Sequence, residues 1–375
     1  MSLLRTERAT LDDFIPGLDK YLSETPLLEL EKPGSGALEM FRELGGPALL
    51  VPTEYEGKGA SMVDAVRIQR AVGSRSPSLA VATTMHHFST ASLVELTAAG
   101  SGFEWAMLMA IAENSWLLSS GFAEGKPGAH ILTPTMRGVQ AEGGITVNGV
   151  KKPCSLTYSM NLMSASVAVA DPDGGPDRMA VVLIPAESEG IERTPFWNSN
   201  VLAAAESDQV TLNDVFVPEA LIFYPADTAE TMDPIQARGF VWFELLVSAS
   251  YLGAATNLAE RVIARGRGSD EDRAGLAIEL ETAAAALEQV AMTAATTADN
   301  EELLARALYV RFATERTIER VVMAASAAIG GMGFIESPEV AYLLGATRAL
   351  AFHPPSRAAA AGPLARYLTG QALTL

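Results

Sequence analysis

The residue types best suited to chemistry include a hydroxyl at the end of a strand. Ser155 follows Cys154, the single cysteine, within the segment TVNGVKKPCSLTYSM at residues 146–160. Gly149 and Pro153 punctuate this segment into two strands. At a strand end a hydroxyl can face something other than the protein's own core and can hydrogen-bond a bound molecule. The small Cys154 side chain is interpreted as buried and inert.

Histidines supply the groups that can carry protons near neutral pH. Of the four histidines, His86 and His87 are adjacent in a helical run, so their side chains point about 100° apart and at most one can face a given site. His353 precedes two prolines in FHPP, where it either caps a final helix or enters a site. His130 is interpreted as structural.

These residues fall in three segments with different patterns. Residues 1–116 predict a helical domain, with a capping box at Ser61 and Asp64. Residues 117–225 alternate with period two between turn residues and predict a mainly antiparallel, β-barrel-like domain. Residues 226–375 return to long apolar helices and predict a C-terminal four-helix bundle. The predicted fold class is α+β, with a β domain between two helical domains.

Local patterns predict particular boundaries within these segments. The runs at residues 167–170 and 179–184, joined by DPDGGPD, predict a hairpin. A long apolar helix ends near Gly266, and GGMGF at residues 330–334 breaks the next one. The prolines at 354 and 355 end the last helix.

Length and charge limit the classes of function. The chain has 375 residues, of which 49% are hydrophobic, so two or three packed subregions are expected. Its net charge of −18 argues against nucleic acid and anionic membranes as partners. No apolar leader or run of eighteen uncharged apolar residues occurs, so neither a signal peptide nor a membrane span is expected. One cysteine excludes an internal disulfide and a multi-cysteine metal site, so a cytoplasmic protein without a metal is predicted.

Five motifs, in this order, resemble the acyl-CoA dehydrogenase superfamily over essentially the whole chain. They are VPTEYEGKGAS, GFAEGKPG, NGVKKPCS, SDQVTLNDVFVPEALI and IGGMGF. Each is a weak signal alone, and their order makes them specific. The resemblance implies a homodimer or homotetramer with a flavin ring between the β domain and the C-terminal helices.

The resemblance also implies which residues contact the flavin. Strand ends hold the ring with rigid backbone donors, and a glycine-rich turn and an arginine element contribute from the C-terminal helices. The residues that match these parts are Phe122, Ala123, Glu124, Gly125, Cys154, Ser155, Arg265, Arg267, Gly330 and Gly331.

The chain differs from a dehydrogenase of this family where the base is expected. Such an enzyme needs a carboxylate to remove a proton α to a thioester, but the matching segment, GATRALAFHPPSRAAAAGP, contains none. An alternative base position on the long central helix falls on Phe243, one residue from Glu244, which is a turn of about 100°. Glu244 is therefore either a relocated base or a polar residue that faces solvent or a helix cap.

Three places resemble the two-component monooxygenase branch, which includes dibenzothiophene monooxygenases and amino-sugar N-oxygenases. They are a histidine in the early helical layer, the Cys-Ser pair at the strand end and the His-Pro segment near the C-terminus. The arginine element, RGRGSDEDR, lacks the family's Phe-Gly, which favours FMN or a loosely held reduced flavin over tightly bound FAD. In that branch a separate reductase supplies reduced flavin, which reacts with O2. The resemblance places His86 or His87, Ser155 and His353 around the flavin, where imidazole and hydroxyl groups can relay a proton.

Three functions follow from these patterns. The preferred one is a flavin monooxygenase acting on a small or natural-product substrate, with a possible separate flavin reductase as partner. The second is an FAD-dependent acyl-thioester dehydrogenase that uses Glu244 as its base. The third is a catalytically silent subunit that partners an active homologue.

Overall fold

The computed structural model describes residues 3–100, 102, 104–125, 133–171, 174–225 and 232–375, and His130 lies outside these residues. Within them the chain forms twelve α-helices. Their bounds are α1 (Arg5–Phe14), α2 (Leu18–Glu24), α3 (Leu27–Leu30), α4 (Ala37–Glu43), α5 (Met62–Arg75), α6 (Pro77–Ala98), α7 (Glu104–Asn114), α8 (Pro234–Ala264), α9 (Asp270–Ala294), α10 (Asn300–Glu336), α11 (Pro338–Arg348) and α12 (Arg357–Tyr367).

The strands of the same described residues all lie between α7 and α8. They are β1 (Leu118–Gly121), β2 (Arg137–Ala141), β3 (Gly144–Cys154), β4 (Leu162–Val169), β5 (Arg178–Pro185), β6 (Ile191–Thr194), β7 (Asp208–Pro218) and β8 (Ile222–Phe223). The sheet order is β6-β7-β3-β2-β4-β5-β8, with β1 also paired to β4. β6 and β8 are its edges, and no pairing in the described ranges closes the predicted barrel. The α+β fold class, with a β layer between helical segments, is confirmed.

Polar caps begin several helices where the sequence indicates them. Ser61 and Asp64 form the predicted capping box at α5, and Ser269 and Asp272 form a second one at α9. Asp233 caps α8 by accepting hydrogen bonds from the first backbone N–H groups of that helix. The predicted hairpin is also confirmed, since β4 and β5 pair antiparallel throughout.

α8 is the central helix of the core, in contact with α5, α6, α9, α10 and α11. It is long and apolar enough to cross a membrane, but 89% of its most apolar window is buried inside the protein, as in a core helix. Glycines allow α5 and α8 to approach closely. A Cβ atom at Gly73 would lie 2.0 Å from the carbonyl oxygen of Ser250, and one at Gly253 would lie 2.1 Å from that of Arg70.

The sheet contains a discontinuity beside its central strand. β1 pairs in parallel with residues 162–165 of β4, and β2 pairs in parallel with residues 168–169 of the same strand. The two strands therefore lie end to end along β4, and residues 122–125, which follow β1, form an excursion beside β3. Glu124, within that excursion, bridges to Lys152 on β3. Backbone from two strand ends is thus brought together at one point.

Two predicted breaks near the C-terminus are present in the structure. The GGMGF segment interrupts α10 at Gly330, whose φ of 78° and ψ of 168° are not helical and suit glycine, and a second helical part ends at Glu336. The helical run from Pro338 ends at Phe352, just before His353 and the prolines, but it is not the last one as predicted. Ser356 begins α12, and its hydroxyl accepts a hydrogen bond from the backbone N–H of Ala359.

Candidate active site

A cavity of about 360 Å³ lies between the strand ends of the sheet, α6, α8 and the segment after α11. Its walls are mostly apolar and include aromatic rings from each side. Phe88 from α6 and Phe243 from α8 pack edge to face, with ring centroids 5.4 Å apart. Trp197 lines the wall on the sheet side, and its Nε1 donates to the carbonyl of Val201 at 2.8 Å.

β3 runs from Gly144 to Cys154 as one strand, so Gly149 and Pro153 do not divide it as predicted. Ser155 follows the end of this strand and lines the cavity. Its Oγ lies 3.0 Å from Ser207 Oγ, and its carbonyl accepts a 2.6 Å hydrogen bond from the hydroxyl of Ser119. Ser155 and Ser207 line the cavity, as do Phe122 and Ala123 from the excursion after β1. The strand ends therefore present hydroxyl groups and backbone at one wall.

The other residues of these two segments point away from the cavity. Glu124 is buried in an ion pair with Lys151, with Oε1 and Nζ 2.9 Å apart. Burial raises the pKa of Glu124, but hydrogen bonds from Thr135, Lys151 and Met136 outweigh it and lower the pKa to about 2. The carboxylate therefore holds the excursion against β3 instead of lining the cavity.

Cys154 and Gly125 do not line the cavity either. The thiol of Cys154 is fully buried, and burial raises its pKa to about 12, so it stays protonated and unreactive. Gly125 is exposed in a turn with φ of 62°. Its backbone approaches Lys152 so closely that a Cβ atom would lie 2.8 Å from that side chain.

His353 enters the cavity from the segment that follows α11. Its Nε2 lies 2.8 Å from the hydroxyl of Tyr251 on α8, and its ring packs against Phe243. Burial, together with the charge of Arg311, lowers the pKa of His353 to about 3, so the ring is neutral at pH 7. Burial raises the pKa of Tyr251, so its hydroxyl keeps its proton and donates to Nε2. By this assignment the imidazole carries its proton on Nδ1.

Glu244 lies behind the cavity wall instead of on it. Its side chain is fully buried, and Oε2 lies 3.0 Å from Nε of the buried Arg311. Burial raises the pKa of Glu244, and the positive charge of the adjacent Arg311 opposes that rise by favouring the carboxylate. Phe243 lines the cavity, whereas Glu244, the next residue along α8, does not. Neither a base at Glu244 nor a solvent-facing role fits this position.

His86 and His87 are also fully buried and do not line the cavity. His86 Nε2 donates to the carbonyl of Pro47 at 2.9 Å, and its Nδ1 accepts from the backbone N–H of Leu118 at 3.1 Å. His87 packs against the rings of Phe41 and His86. Burial lowers the pKa of His86 to about 4 and that of His87 well below its usual value, so both rings are neutral packing groups.

The side of α6 that faces the cavity was not identified from the sequence. Its cavity residues recur every three or four positions and so share one face of the helix. They are Val81, Met85, Phe88, Ser89, Ser92 and Leu96. Because α6 is buried nearly all round, its periodicity indicates no preferred face. On α8, Gln236, Phe240 and Tyr251 were missed for the same reason.

The remaining predicted flavin contacts lie together, away from the cavity. Arg265 and Arg267 are exposed in the turn after α8. A Cβ atom at Gly268 would lie 3.2 Å from Ala328, so this turn packs against α10 just before Gly330 and Gly331. Within one chain these residues form a separate surface.

The cavity suits a flavin ring in shape and chemistry. Aromatic walls match a flat fused ring, and the hydroxyl groups and backbone at the strand ends match its polar edge. In the part of the chain that the structure describes, the lining includes no lysine or arginine, so a phosphate group needs a cation from elsewhere.

Comparisons with known proteins agree with this geometry. No protein-family model matches the chain. Isobutylamine N-hydroxylase of Streptomyces viridifaciens is 44% identical over 379 residues, which span all of both chains. Dibenzothiophene monooxygenase of Rhodococcus erythropolis is 27% identical over 237 residues, or 61% of this chain and 55% of that protein.

Among solved structures, KijD3 in complex with FMN and dTDP-3-amino-2,3,6-trideoxy-4-keto-3-methyl-D-glucose superposes with a TM-score of 0.82. The alignment covers 98% of this chain and 94% of that one at 17% identity, a level that shows the fold. The full-length identity to isobutylamine N-hydroxylase, on this fold, shows that the chain belongs to the acyl-CoA dehydrogenase-like flavin monooxygenases.

Proposed function

We propose that this protein N-hydroxylates a small aliphatic primary amine, using O2 and reduced FMN delivered by a separate reductase. One oxygen atom of O2 forms an N–O bond to the amine nitrogen, and the other leaves as water. The two electrons that this requires come from the reduced flavin, which ends oxidised. The full-length relative named isobutylamine N-hydroxylase supports the choice of an amine.

The observation that carries the proposal is the small, mostly apolar cavity. Its volume of about 360 Å³ is at the low end for small-molecule sites, and a flavin ring must share it with the substrate. An apolar wall also disfavours an ammonium ion and favours the neutral amine, which alone has a lone pair to accept oxygen. The only carboxylate on the described lining, Asp233, accepts backbone hydrogen bonds from Ile235 and Gln236.

The bound flavin supplies the electrons and activates O2. Ser155 and Ser207 hold its polar edge through their hydroxyl groups, and Phe122 and Ala123 offer backbone at the same wall. His353 keeps a proton on Nδ1 for the cavity. The Tyr251 hydroxyl keeps its own proton and donates to Nε2, so it holds the imidazole in the tautomer that offers Nδ1–H as a hydrogen-bond donor.

Two alternative activities, dehydrogenation and sulfur oxygenation, have less support. Dehydrogenation needs a base on the cavity, and Glu244 is held behind the wall by Arg311. Sulfur oxygenation of a large aromatic substrate is suggested by the relative named dibenzothiophene monooxygenase. However, a tricyclic substrate would have to share the cavity of about 360 Å³ with the flavin ring, which favours a smaller substrate.

We also infer that the protein is a soluble cytoplasmic homo-oligomer in which Arg265 and Arg267 contact the flavin phosphate of a second copy. Among the residues that the structure describes, the cavity lining includes no cation, whereas these arginines lie exposed beside the kink of α10. The same part of α10 exposes large apolar side chains, with Met332 63% and Ile335 74% exposed. An apolar surface of this kind is typical of a subunit interface.

The proposal is tested by supplying reduced FMN, 18O2 and isobutylamine to the purified protein and analysing the products by mass spectrometry. We expect a hydroxylamine that contains one 18O atom. Longer alkylamines and dibenzothiophene serve as competing substrates. We expect the yield of oxygenated product to fall as the substrate becomes larger. The His353→Gln variant should oxidise the flavin but release hydrogen peroxide in place of product. Formation of a sulfoxide with no hydroxylamine from any amine would contradict the proposal.

A further inference from the structure

We propose that Arg311 on α10 positions His353 for the reaction by fastening its backbone to the protein core. This inference rests on the proposed function, which gives His353 its role. Arg311 does not line the cavity, so it is a positioning residue that acts through His353.

The contacts of Arg311 converge on the segment that carries His353. The guanidinium is fully buried, and its Nη2 donates to the carbonyl oxygen of Leu350 at 2.7 Å and to that of His353 at 3.3 Å. Phe352, between them, is 80% exposed. The segment therefore has solvent on one side, and Arg311 holds it from the other.

The guanidinium is in turn held by carboxylates on two helices. Its Nε lies 3.0 Å from Oε2 of Glu244 on α8, and its Nη1 lies 3.0 Å from Oε2 of Glu315 on α10. These are the charged groups that the structure shows facing Arg311. A buried cation needs such compensation, since it would otherwise be strongly unfavourable. Glu244 therefore serves the site as the counter-ion of a positioning group.

α8 holds His353 at two points. Tyr251 bonds the imidazole directly, and Glu244 holds the backbone through Arg311. These two α8 residues are seven positions apart, which places them on nearly the same helical face, two turns apart. One rigid helix, α8, therefore holds both the ring and the backbone of His353, which fixes the direction of its Nδ1–H group.

Only arginine can make this set of contacts. Its planar fork donates to one carboxylate and two carbonyls and places Nε in an ion pair with a second carboxylate, whereas a lysine ammonium has three donors at a single point. Arg311→Lys keeps the positive charge but loses part of the hydrogen bonding to the segment that carries His353. Arg311→Met loses both the charge and these hydrogen bonds.

The experiment compares these two variants with a matched control. Arg70 is equally buried and is paired with Glu7 and Glu281, but it does not line the cavity. Arg70→Met therefore carries a similar loss of stability without an effect on His353. The first readout is the 15N NMR spectrum of the four histidine rings in the flavin-free protein, alongside the melting temperature.

We expect wild type and Arg70→Met to show His353 as one neutral tautomer with the proton on Nδ1. Both Arg311 variants should show averaged tautomers, because the Tyr251 bond loosens when the segment moves. For the amine reaction, kcat should fall about 10- to 100-fold in both, with KM and the FMN affinity within about twofold of wild type. If Arg311→Met fails to fold, Arg311→Lys carries the test.

A wild-type His353 spectrum in Arg311→Lys, or in a folded Arg311→Met variant, would overturn the inference and leave the proposed function standing. Conversely, normal product formation by His353→Gln would remove the role of His353 in the proposed function. The spectra would still report whether Arg311 orders that ring, so the two failures are distinguishable.

Discussion

Replacing Lys151 with methionine removes the cation that compensates a buried carboxylate beside the cavity. Lys151 is fully buried, and its Nζ lies 2.9 Å from Glu124 Oε1 and 3.2 Å from Ser166 Oγ. Methionine has a similar length and no charge, so packing changes little. The Glu124 carboxylate stays buried and loses its ammonium partner.

The expected loss of stability is about 3 kcal/mol at pH 7.5. Breaking a buried ion pair costs about 3–5 kcal/mol, and Glu124 keeps backbone hydrogen bonds from Thr135 and Met136, which favours the lower value. Against the cost of burial, hydrogen bonds from Thr135, Lys151 and Met136 and the charge of Lys151 lower the pKa of Glu124 to about 2, so removing Lys151 loses only part of that stabilisation. With an unfolding entropy of about 2.1 cal/mol/K per residue, the melting temperature should fall by about 4 °C.

The effect should depend on pH in a defined direction. In wild type the folded pKa of Glu124 is below the unfolded value, so its contribution is present above about pH 4.5 and is lost as the pH falls toward 2. In Lys151→Met the folded pKa rises, and protonation relieves the cost. The difference between the two proteins should therefore shrink between pH 7.5 and 4.5.

Differential scanning calorimetry at these two pH values measures the effect, with Arg306→Met as the control. Arg306 pairs with Glu302 on the exposed face of α10, so its loss should shift the melting temperature by less than about 1 °C. Adding Glu124→Gln to Lys151→Met should recover most of the loss. Equal melting temperatures at pH 7.5, or a gap that widens on acidification, would refute the reasoning.

Two other predictions concern the core and the pH profile. Gly253→Ala should destabilise the fold by about 2–3 kcal/mol, because its Cβ would meet the backbone of Arg70. Gly275→Ala, a helical position with open space, should stabilise it by about 0.5–1 kcal/mol; urea unfolding measures both, and equal effects would contradict the packing argument. Since the pKa of His353 is lowered to about 3, the ratio of wild-type to His353→Gln kcat/KM should stay constant from pH 5.5 to 8, and a tenfold change would refute neutrality.

Local signals in the sequence predict much of the fold. The Ser61 capping box, the hairpin of β4 and β5 and the order of helical and β segments each depend on residues close together in the chain. The kink at Gly330 shows the limit of such signals. The Gly-Gly pair predicts the break that is found there, but nothing local indicates that a second helical part follows it to Glu336.

The site residues also differ in whether local sequence signals indicate their direction. Ser155 was identified because the NGVKKPCS motif surrounds it, and His353 because its segment replaces the one that carries the family's carboxylate; both reach the cavity. Glu244, His86 and His87 lie on helices that are buried nearly all round. Periodicity cannot choose a face on such helices, so the direction of these side chains was open.

The sequence by itself therefore determined the class of fold, the flavin family and two groups at the cavity, since these depend on local pattern and motif order. Only the tertiary structure decided which faces of α6 and α8 form the cavity, and that Glu244 pairs with Arg311 instead of meeting substrate. The physical reason is that a buried charge takes its role from the partner that compensates it. Here the two partners are 67 positions apart in the chain.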